Sequence, residues 1–135
     1  MAIFVLKNAS VTINSVDLSA YVTSVTLDYK KDAVESTAMG ASGHTYEGGL
    51  QSNTVTVSLN QDFAATKTEA TIFPLVGTST TVVVKADSGA VSATNPSYTV
   101  SSTYLEGSQP VAGAVGDLAA MQLTFTGGTL VKATS

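Results

Sequence analysis

With 135 residues the chain is expected to form a single domain, residues 1–135, long enough to bury a core. It has no Cys, which excludes disulfides and thiolate metal sites, and its six basic residues are all Lys, which argues against a reader of phosphates or of guanine. Net charge is −4 and charged residues are only 12%, against roughly 25% in soluble domains, so strand edges are thinly defended against association.

Ser (16) and Thr (20) are abundant, which suits strands better than helices. A surface this poor in charge is either covered by other copies or solvated by those hydroxyls, and composition leaves both open. The first apolar run, Ile3 to Leu6, is too short for a signal-peptide core or a membrane span, so the expectation is a soluble chain made in the cytoplasm.

Along the chain, Val11-Thr12-Ile13 alternates briefly before a turn candidate at Asn14-Ser15. Val25 to Tyr29 is a two-faced strand, with Val25, Leu27 and Tyr29 on one side and Thr26 and Asp28 on the other. Thr54 to Leu59 has the same character. Between them, Lys30 to Ser52 carries Gly40, Gly43, Gly48 and Gly49, and its middle reads as a long loop at the end of a hairpin, about residues 35–49. Thr81 to Lys85 is apolar on both faces and predicts an interior strand. In Tyr98 to Leu105, Tyr98, Val100 and Tyr104 are expected on one face, and Thr99, Ser101 and Thr103 on the other. Met121 to Phe125 is the last strong strand, closed by Gly127-Gly128.

One stretch breaks the alternation. Thr66 to Glu69 matches a capping box, in which hydroxyl and carboxylate each satisfy an orphan backbone N–H. Ile72, Phe73 and Val76 follow at helical spacing, which predicts a helix over about 66–75 packing those three side chains on a sheet, limited by Pro74 and stopped by Gly77. The fold expected is mainly β: an antiparallel β-sandwich or partial barrel with one short flanking helix.

Residues for chemistry are scarce. His44 is the only histidine, which excludes a multi-histidine metal site, and among glycines it reads as a solvated or contact-making side chain rather than a catalyst. Asp28, Asp32 and Glu35 lack the apolar surroundings that raise a carboxyl pKa, so a solvated strand end explains them better than glycoside chemistry. No nucleophile elbow or glycine-rich phosphate loop is present. The Asn8-Ala9-Ser10 sequon carries little weight without a secretory signal. No enzyme activity and no cofactor are expected.

The succession "VDLSAYVTSVTLDY", "ESTAMG", "GGLQSNTVTVSLNQDF", "EATIFPLVG", "SATNPSYTV" and "AGAVGDLAAMQLTFTGG" resembles the major tail protein, or tail tube protein, of long non-contractile-tailed phages, especially those of actinobacterial hosts. The resemblance implies a structural virion protein that assembles with itself into stacked hexameric rings. It would meet other tail proteins at the tube ends, pass DNA through the lumen without binding it specifically, and touch no membrane. It would be made in the host cytoplasm and reside in the virion tail.

By position, Glu35 to Gly49 becomes the ring-stacking loop, with Glu35, Met39, His44, Tyr46 and Glu47 as contacts. Thr26, Asp28, Thr54, Thr56, Ser58, Thr99, Ser101 and Thr103 become candidates for the lumen. An Arg-free hydroxylic lumen would let DNA slide, since affinity for the phosphate backbone comes from Lys and Arg. Lys30 and Lys31 depart from this unless they sit at a ring junction, paired with Asp32 or Glu35 of a neighbour. Rival readings are a capsid-decorating or tail-terminator subunit, and a monomeric cell-surface binding module.

Overall fold

A computed structural model describes residues 7–63 and 68–134. Eight strands follow in chain order: β1 (Ser10–Ile13), β2 (Val16–Asp17), β3 (Val22–Glu35), β4 (Tyr46–Asn60), β5 (Ser79–Lys85), β6 (Ser97–Leu105), β7 (Ala120–Thr126) and β8 (Thr129–Ala133). Between β4 and β5 lie a short helix α1 (Thr68–Ile72) and a 3₁₀ turn (Phe73–Leu75). All strand pairings are antiparallel, in the order β2-β1-β5-β6-β7-β4-β3, with β8 also on β6.

The sheet is hydrogen-bonded throughout and open between β2 and β3, and it divides into two halves. β7 pairs with β4 over seven residues but with β6 only through Thr126 and Phe125, opposite Tyr104 and Leu105. β8 continues in the same register along β6, from Thr129 opposite Ser101 to Ala133 opposite Ser97. The chain therefore crosses from one half to the other at Gly127-Gly128. Both glycines have positive φ (81° and 90°), and a Cβ on Gly128 would lie 2.5 Å from the Ser101 carbonyl oxygen. Only glycine permits that approach.

The halves share one core. Val55, Val57 and Leu59 of β4 and Met121, Leu123 and Phe125 of β7 face Val11 and Ile13 of β1, Val82 and Val84 of β5, and Val100 of β6. At about 1.5–3 kcal/mol for each fully buried aliphatic side chain, this cluster is the principal source of stability. Toward the free edge of β3 the halves leave an apolar cleft of about 410 Å³ lined by Val25, Leu27, Tyr29, Val84, Tyr98 and Leu130, among others.

The expected helix is present, shorter and differently faced. Thr66 and Lys67 of the capping box lie outside the described residues; Thr68 is buried, and its hydroxyl bonds Gln61 and Asp62. Only Ile72 of the expected packing face is fully buried, whereas Phe73 is 59% exposed and Val76 is also exposed. Pro74 explains the difference: it turns the chain into a 3₁₀ geometry of three residues per turn, so Leu75 rather than Val76 follows Ile72 inward.

Thr103 is a second correction. It is fully buried rather than sharing the face of Thr99 and Ser101. Thr80 lies opposite Thr103 but Val82 lies opposite Val100, so β6 carries one extra residue. Ser102, with φ of 58°, absorbs it as a bulge, and every side chain beyond changes face.

Candidate assembly interface

β3 and β4 extend far past the sheet they belong to. β7 covers β4 only from Thr54 to Asn60, while the β3–β4 pairing runs on to Glu35 opposite Tyr46. Strands therefore take up both ends of the loop expected over about 35–49, and only residues 36–45 lie outside them. The outcome is a two-stranded arm on which every residue from Tyr29 to Gly48 is exposed.

Hydroxyls hold its tip. Ser36 N–H donates to the Thr45 carbonyl oxygen (2.8 Å), Thr45 N–H donates to Thr37 Oγ1 (2.8 Å), and the Ser36 and Thr45 hydroxyls are 2.9 Å apart. His44 Nδ1 lies 2.6 Å from Glu35 Oε2, which also accepts from the Thr37 hydroxyl (3.1 Å). A bulge between Lys31 and Ala33 interrupts the arm near its base. Of the expected stacking residues, Glu35 closes β3, Met39 and His44 lie in the tip, and Tyr46 and Glu47 open β4. Val34, Met39, Tyr46 and Leu50 all present apolar surface to solvent. A hairpin without a packed face is marginal in water, so an arm of this length calls for a partner.

Behind the arm, the outer face of β3, β4 and β7 is hydroxylic. Thr26 lies opposite Thr56, Asp28 opposite Thr54, and Ser24 opposite Ser58. On the other side of β4, Thr126, Thr124 and Gln122 stand opposite Thr54, Thr56 and Ser58. The structure thus brings together five of the eight lumen candidates and adds Gln122, Thr124 and Thr126, which the pairing of β7 with β4 places beside them. Thr99 and Ser101 sit in the other half of the sheet, beside β5 and β8, and Thr103 is in the core.

Among the described residues no group of three or more His, Cys, Asp or Glu is placed to hold a metal, and no helix is long and apolar enough to cross a membrane.

No protein-family model and no curated protein matches the chain. Solved structures do. A chain of the virion of a native gene transfer agent particle superposes with a TM-score of 0.74 at 13% identity, covering 97% of this chain and 99% of its own. A chain of the sheath-tube complex of an extracellular contractile injection system, in its extended state, gives 0.71 at 14% identity, over 98% and 93%. The chain shares the fold of these two chains. Hcp1 from Flavobacterium johnsoniae is a more distant likeness, with a TM-score of 0.56 at 14% identity over 96% and 97%.

Proposed function

We propose that this chain is a structural virion protein that builds a phage tail tube, its copies closing into hexameric rings that stack around a channel for DNA. The observation that carries the reading is the arm: a hairpin exposed on both faces, continuous with the free edge of β3, on a fold seen in tail and tube assemblies. An open edge beside a long exposed ribbon is unstable against pairing unless another chain occupies it. Ring closure removes that edge. The hydroxylic face of β3, β4 and β7 carries one carboxylate, Asp28, with Lys30, opposite Ser52, next in the same row toward the arm, and in a ring it is the wall along which DNA passes. The siphophage type, with a non-contractile tail, follows from the sequence resemblance.

The test is to replace residues 36–45 with an Asn-Gly turn and follow assembly by light scattering. The shortened protein keeps its fold, by circular dichroism, and loses stacking at concentrations where the full chain polymerises. Unchanged polymerisation would remove the arm from the axial contact.

A further inference from the structure

The apolar cleft between the two halves of the sheet is continuous with the core, since Val84 belongs to both. Val25, Leu27 and Tyr29 of β3 form one wall, and Val84, Tyr98 and Leu130 form the other. Tyr29 is 51% exposed there, and Val25, Leu27 and Leu130 are half-buried. Walls of this kind forgo the contacts that a close-packed interior makes, so the cleft favours an apolar occupant.

The chain itself leads to it. Ala9, just before β1, lines the cleft, and Lys7, Asn8 and Ala9 line a smaller hollow along Val22 to Val25. Ala9 and Val25 border both hollows, so the two adjoin. The chain bends at Lys7, and Ile3, Phe4, Val5 and Leu6 come immediately before it, outside the described residues. That apolar run is too short for a signal-peptide core or a membrane span, and the function proposed above gives it no role. Extended, the stretch from Lys7 back to Ile3 covers about 13 Å at roughly 3.3 Å per residue, the same as Val25 to Tyr29 along β3. The other residues outside the described ones are a poorer match: 64–67, between β4 and α1, include Thr66 and Lys67, and Ser135 is polar.

We infer that residues 3–6 fold back into the cleft of their own chain, with alternate side chains between its two walls, and complete the core. This is a property of a single copy and does not depend on tube formation.

The chain has no Trp, so one introduced Trp reports alone. Phe4→Trp and Val5→Trp place it on opposite faces of an extended segment. At least one of them is expected to emit blue-shifted fluorescence, to resist acrylamide quenching severalfold better than free N-acetyltryptophanamide, and to receive excitation energy from Tyr29 and Tyr98. Leu27→Asp and, at a position already half in solvent, Tyr29→Asp each put a carboxylate in the cleft. Both are expected to return that Trp to solvent while circular dichroism shows the fold intact, and dilution is expected to leave the parent signal unchanged. Full quenching of both Trp variants would overturn the inference, as would shielding that survives both cleft substitutions. Shielding lost on dilution would put the segment on another copy and overturn it as well.

Discussion

Gly128 shows how much one residue can decide. Its missing Cβ lets β7–β8 pass within contact of Ser101 and Thr103 as the chain crosses between the two halves of the sheet. Gly128→Ala would add both a steric clash and a strained positive φ, and is expected to cost about 2 kcal/mol or more, read by urea denaturation. Asp17 is the other instructive position. Its carboxylate accepts from the Ser19 hydroxyl and from the Ser19 backbone N–H (2.9 Å), and those bonds, the hydroxyl first, hold its pKa below the ordinary carboxylate value. A depressed folded-state pKa contributes stability that is present above the unfolded value and lost as pH falls through the folded one. Because the site is exposed, the contribution is below about 1 kcal/mol. Asp17→Asn should therefore melt slightly lower than the parent at neutral pH, and the gap should close in strong acid. A gap unchanged with pH would assign the effect to packing.

At the scale of elements, the helix and its 3₁₀ extension place neighbouring apolar residues on opposite sides, Ile72 in the core and Phe73 in solvent. Ile72→Ala empties a fully buried site and is expected to cost 2–5 kcal/mol, whereas Phe73→Ala should change stability by less than about 1 kcal/mol, both by chemical denaturation. Period-three packing after Pro74 is what reverses the ranking that helical spacing suggests. The sequence announced the strands wherever one face is buried: Val25 to Leu27, Thr54 to Leu59 and Met121 to Phe125 alternate because their apolar side chains enter the core. It marked a long loop at the end of a hairpin there, but not how far the two strands run into it, for the same physical reason. Residues 30–35 and 46–49 pair as strands with both faces in solvent, so no apolar alternation marks them. The change of face at Ser102 was equally hidden, since a bulge depends on one strand's length relative to its neighbour, and no local pattern records that. The hydroxylic rows of β3 and β4 were legible residue by residue; that β7 completes them with Gln122, Thr124 and Thr126 emerges only from strand order.

The whole molecule is a folded body with unfinished edges. Its core is closed, while β3 ends the sheet with an unpaired edge and the arm and the β6–β7 loop expose apolar side chains. Low charge, which on a monomer invites aggregation, is consistent with surfaces covered in an ordered assembly. The decisive measurement is negative-stain microscopy of the purified protein over a concentration series, with end-on views averaged without imposed symmetry. The proposed function predicts annular particles with six-fold symmetry and an open central channel, growing into tubes. Compact particles without a channel at every concentration, even after addition of a preassembled tail tip, would contradict it.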